Sequence, residues 1–134
     1  MKRFLTVVGI VIFILGVLIS CAPDPSVIFS NFVNDMDVEG RFSDYAAEIG
    51  RGKSSDVILT GIDVLIEDLN TMTLDNATAK EITASFISSS KVLKEAAQLN
   101  MQNSNKESKE KLAEAREMFN QALKEEYSFT KNES

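Results

Sequence analysis

Few residues in this chain could carry chemistry, and most of them come in runs. Cys21 is the single cysteine. A lone thiol cannot close an intrachain disulfide, but it can accept a covalent group. Asp35, Asp37 and Glu39 alternate ahead of Gly40, and hard oxygens at alternate positions of a tight loop can be aimed at one cation. Asp63, Glu67 and Asp68 form a second acidic group, and Ser88-Ser89-Ser90 a run of hydroxyls. Histidine is absent. No His-dependent triad, His-containing zinc site or Glu-x-x-His metal pair can therefore be built. The serines have no base motif beside them, and Ser90 reads as a small helix residue bonded to its own backbone. Asp63 and Glu67 read as a solvated face. Asn76-Ala77-Thr78 and Asn132-Glu133-Ser134 fit the acceptor pattern for N-linked sugar, which matters only in a host that glycosylates its exported proteins. The sequence implies no cofactor and no enzyme.

The setting of Cys21 is more specific. Lys2-Arg3 is followed by 16 residues, Phe4 to Ile19, interrupted only by Thr6, Gly9 and Gly16. That run is shorter than the ~20 residues a spanning helix needs, and it suits the apolar region of an export signal with a positive flank. Leu18-Ile19-Ser20-Cys21 closes it with an aliphatic residue, a tolerant position, a small residue and cysteine. These four residues resemble the lipobox of prokaryotic lipoprotein signals. The resemblance covers residues 1–21 and implies cleavage before Cys21, which becomes a lipidated N-terminus. Two or more acyl chains anchor a protein stably where one binds marginally. An uncleaved anchor helix is the competing reading, and it places the rest of the chain on the same side. Ala22 stands where an inner-membrane retention signal would resemble Asp, so an outer membrane is compatible if the host has one.

Asp35-Met36-Asp37-Val38-Glu39-Gly40-Arg41-Phe42 resembles the start of an EF-hand calcium loop, with carboxylates at positions one, three and five and glycine at six. It departs from that pattern where the closing glutamate should fall, because the position is Ala46. Asp35, Asp37 and Glu39 are weak candidate metal ligands, and a solvated acidic turn competes.

Around these residues, composition splits the chain near residue 21. Beyond Cys21 lie 12 of the 14 basic residues and all 20 acidic ones, a formal charge of −8. Such a surface repels nucleic acid and anionic headgroups. Residues 21–26 read as the lipidated cysteine and a short proline-stiffened tether. Residues 27–127 read as a helical domain and 128–134 as a disordered tail.

Three segments show single apolar stripes at helical spacing. Over 55–71 the stripe is Ile58, Ile62, Leu65, Leu69 and Met72. Over 76–101, with Asp75 as N-cap, it is Ala79, Ile82, Phe86, Ser90, Leu93 and Ala97. Over 106–127 it is Leu112, Ala115, Phe119, Ala122 and Leu123. The segment 26–49 differs. Phe29, Phe32, Val33 and Met36 share one face, whereas Val38, Phe42, Tyr45 and Ile49 share a nearly opposite one. A straight helix cannot bury both against one core, so the spacing predicts a kink near Val38-Glu39-Gly40. The alternative leaves Phe29, Phe32, Val33 and Met36 as an interface.

The expected fold is all-α: a small antiparallel bundle of three long helices and a broken first helix, after an N-terminal signal or anchor helix. The expected role is that of a lipid-anchored surface protein that binds or scaffolds another cell-envelope protein, on the outer face of a prokaryotic membrane. An extracytoplasmic ligand-binding or sensor-like module is the second reading.

Overall fold

A computed structural model describes residues 23–132. The signal segment, Cys21 and Ala22 lie outside the described residues, as do Glu133 and Ser134. Five helices follow in order: α1 Pro25–Asp35, α2 Val38–Gly50, α3 Asp56–Leu69, α4 Ala77–Met101 and α5 Asn105–Asn132. Helices α1 and α2 form one bent arm. With α3, α4 and α5 it makes an antiparallel four-armed bundle in which α4 and α5 are a long hairpin, α3 packs on α4, and α1 and α2 lie against both. No strand occurs among the described residues.

Helices α1, α3 and α4 start where local chemistry supplies a partner for the first amides. Pro25 opens α1, where a missing N–H costs nothing, and the Asp24 carbonyl accepts from Val27 N and Ile28 N at 3.0 and 3.1 Å. The tether is accordingly two residues shorter than predicted, and Ser26 is buried within α1. Ser55 caps α3 by accepting from Ile58 N. Asn76 rather than Asp75 caps α4, its carboxamide oxygen accepting from Ala79 N at 3.0 Å. Both caps have extended backbone, as the motif requires.

The three predicted stripes converge. Ile62, Leu65 and Leu69 of α3 are buried, with Ile58 and Met72 packed at the margin. All six α4 stripe residues are buried. Leu112, Ala115, Phe119 and Ala122 of α5 face them, with Leu123 half-buried. Phe119 stands at the centre. Its ring stacks on Phe42 at 3.9 Å between centroids and 7° between planes, and tilts against Phe86 at 5.2 Å.

Two expectations for the ends and the bend change. The chain breaks at Met36-Asp37, directly before the predicted Val38-Glu39-Gly40 rather than at the glycine. Asp37 takes the left-handed conformation, φ 49° and ψ 47°, which Asp tolerates better than most residues. Gly40 instead sits inside the first turn of α2, where an added Cβ would land on the Asp37 carboxylate. The predicted disordered tail is helical as far as Asn132. Phe129 is buried there, edge-on to Phe29 at 6.0 Å. Phe129 stands seven residues after Ala122, on the continuation of the same stripe, and it meets a partner 100 residues away in sequence.

Helices α2 and α3 approach closely at Gly61, where a Cβ would come within 2.5 Å of the Tyr45 hydroxyl oxygen. Alanine is the better helix former by about 1 kcal/mol, yet here the ring occupies its space. Gly61→Ala should therefore lower the unfolding midpoint in the wild-type background. In a Tyr45→Ala background the same change should raise it; the same sign in both would remove the steric account. At the centre, Phe119→Ala should cost roughly 3–5 kcal/mol. Asn120→Ala, on the exposed side of the same turn, should stay within about 0.5 kcal/mol. Urea unfolding followed by circular dichroism separates the two.

Candidate functional site

The acidic run falls at the α1–α2 bend, and the bend dismantles it as a calcium loop. Asp35 ends α1, Asp37 is the link, and Glu39 already lies in the first turn of α2. The amide of Met36 donates to Phe32 O and that of Asp37 to Asn34 O, both at 3.0 Å; Arg41 N then donates to Asp37 O at 2.9 Å. Two residues separate the helices, whereas a calcium loop of this kind needs a dozen. Among the described residues, no three acidic side chains are gathered as metal ligands. Asp35, Asp37 and Glu39 are solvent-exposed carboxylates. Asp37 and Glu39 lie at the positive end of the α2 dipole, which favours them there.

The residue that organises the bend is Arg41. Its Nη1 donates to the Met36 carbonyl at 3.2 Å and to Asp68 Oδ2 at 2.8 Å. It therefore caps the negative C-terminal end of α1 and ties α2 to α3. Its signal in the sequence is that it is the single basic residue between Lys2-Arg3 and Arg51, amid Asp35, Asp37, Glu39, Asp44 and Glu48.

The second acidic group is also divided. Asp68 pairs with Arg41, and Asp63 with Lys94 of α4 at 2.8 Å, while Glu67 is exposed. Asp63 and Asp68 are thus drawn to cations on different helices. The serines behave as the pattern suggests. Ser89 and Ser90 are buried, and both donate to the Phe86 carbonyl at 2.8 Å. Ser88 is exposed.

The stripe read as an interface does not lie open. Phe29 and Val33 are buried in the core. Phe32 and Met36 are half-buried against it, and the Phe29 and Phe32 rings stack at 6.5 Å. The bend turns this face inward, because Phe129 of the extended α5 supplies a partner. The large apolar side chains that α1 leaves open are Val27 and Ile28, which spacing alone had not singled out.

A small depression of about 220 Å³ adjoins the acidic run at Glu39 and Phe42, and wider ones lie elsewhere. Two adjoining depressions, about 460 and 360 Å³, run along the outer seam of α4 and α5 and share Gln121 and Glu125. Both are open to solvent. Glu81, Ser85, Ser88 and Met118 contribute to their walls.

One carboxyl is displaced from its usual range. Glu126 of α5 is pushed upward, first by burial and then by the negative charge of Glu39. Raising an acid's pKa in the fold means the ionised form is the disfavoured one. The resulting penalty is absent below the ordinary value of 4.5 and grows as pH rises through it. It is complete above the folded value. Glu126→Gln should therefore be more stable than wild type at pH 7, with the difference vanishing as pH falls below the ordinary value of 4.5. Thermal melts across pH 3–8 check this, and a constant offset would remove burial of the charge as the cause.

Comparison with protein-family models, with curated proteins and with solved structures yields no match. The functional reading rests on the chain's own residues.

Proposed function

We propose that the protein is exported and lipid-anchored through Cys21, and that its helical bundle binds or scaffolds another cell-envelope protein at the outer face of the membrane. The observation that carries the reading is the order of segments. A 16-residue apolar run ends at Leu18-Ile19-Ser20-Cys21, and α1 begins at Pro25, only four residues after the cysteine. A single amphiphilic element is thus joined almost directly to a packed bundle. No described helix is long and apolar enough to cross a membrane. Attachment in this proposal is made by acyl chains on the cysteine, which bind stably when two or more are present.

A binding role follows from the kind of surface the bundle offers. Asp63 and Asp68 pair with cations on different neighbouring helices, and the α4–α5 seam is an elongated open groove with mixed polar and apolar walls. Such a surface suits a macromolecular contact better than an enclosed small ligand. The polar lining contributed by Glu81, Gln121, Lys124 and Glu125 favours the second reading, an extracytoplasmic ligand-binding module.

Cys21→Ala should abolish incorporation of labelled fatty acid in a lipoprotein-processing host. The variant should then accumulate as an uncleaved precursor or be released. Intact mass of the wild-type protein decides the matter directly: an unmodified chain that still carries residues 1–20 overturns the lipid anchor.

A further inference from the structure

Helix α1 is unlike the other four in its charge. From Pro25 to Asn34 it carries no charged residue, in a chain of which a quarter is charged. Its inner face is Ser26, Phe29 and Val33. Its outer face shows Val27 and Ile28, 44% and 40% exposed, with Asn31 and Asn34 continuing the same side. Other exposed aliphatic residues stand among acids: Val57 follows Asp56, and Val64 follows Asp63. Met101, 41% exposed, stands singly among uncharged residues at the end of α4; among the described residues, α1 sets two adjacent open aliphatic side chains on an uncharged helix face.

We infer that this outer face of α1 lies on the lipid surface and enters the headgroup–acyl boundary through Val27 and Ile28. The inference rests on the anchoring reading, and it adds an orientation to it. The chain outside the described residues provides the reason. Its apolar run ends at Cys21, and four residues of even fully extended chain reach at most about 14 Å. Acyl chains on that cysteine therefore hold the first turn of α1 within a short distance of the bilayer. At such an effective concentration, weak contacts that would be negligible for a free protein become populated. Asparagine and serine remain hydrogen-bonded among headgroups, the exposed Asp24 at the start of the helix stays at the level of the polar headgroups, and between Asp24 and Asp35 no ionised group has to be desolvated. The exposed sides of α3 and α5 cannot make the same contact without dehydrating carboxylates.

The absence of tryptophan from the chain makes the test clean. Ile28→Trp and, separately, Val57→Trp each add one indole at an exposed site. Each full-length variant, produced in a lipoprotein-processing host, is reconstituted into phosphatidylcholine vesicles with and without brominated acyl chains. Retention of the wild-type circular dichroism spectrum shows that the variants fold. The expected result is a blue-shifted emission for Ile28→Trp that loses most of its intensity with brominated lipid, and little quenching for Val57→Trp. If Ile28→Trp protein floats with the vesicles but is not quenched, the docked orientation is overturned and the anchor stands. A blue shift without bromine quenching assigns the face to a protein contact and also overturns it. Equal quenching at both sites overturns the choice of α1. Protein that does not float with vesicles overturns the anchor, and the docking with it.

Discussion

The ring of Phe119 ties three arms of the bundle together. It stacks flat on Phe42 from α2 and leans on Phe86 from α4, so α2, α4 and α5 share one apolar contact point. A second aromatic contact, Phe29 with Phe129, lies farther along the same pair of arms. Phe29 and Phe42 are thirteen residues apart. On a straight helix at 100° per residue they would point well over a right angle away from each other. Both nonetheless meet rings carried by α5. The chain can satisfy both contacts only by breaking between them, and the left-handed Asp37 is that break.

Polar groups then hold the geometry that the rings require. Breaking a helix frees carbonyls at one end and amides at the other. Arg41 donates to a freed carbonyl, that of Met36, and its second bond reaches Asp68 on α3. A buried serine does comparable work at the far end, where Ser108 Oγ on α5 donates to the Ala96 carbonyl of α4 at 2.8 Å. The interhelical ion pairs Asp63–Lys94 and Glu95–Lys111 are partly exposed. Pairs of this kind contribute little net stability. They set which helix faces which, while the apolar core supplies the driving force.

The same bend shapes the function proposed for the chain. Turning the Phe29 stripe inward spends its large apolar residues on the core and leaves α1 a thin, uncharged outer face beside the attachment point. In that proposal one side of the bundle faces lipid, and the α4–α5 seam is left as a separate surface for a partner. The acidic balance of the chain beyond Cys21 fits such an arrangement, because it disfavours adhesion of the remaining surface to anionic headgroups.

The sequence by itself determined the all-α class, the three regular helices and the residues that face the core in each. Those follow from periodicity and from caps such as Ser55, both of which are local. It also carried the Leu18-Ile19-Ser20-Cys21 pattern, a feature of sequence rather than of fold. It indicated that residues 26–49 could not be one straight helix, since two opposed stripes are visible in the spacing. Only the tertiary structure decided where that segment breaks, which of its stripes are buried, and how far α5 extends. Those outcomes depend on Phe29 meeting Phe129 and on Arg41 meeting Asp68, contacts between residues distant in the chain. Spacing specifies which side chains share a face of a helix; what that face meets is set by the other helices packed against it.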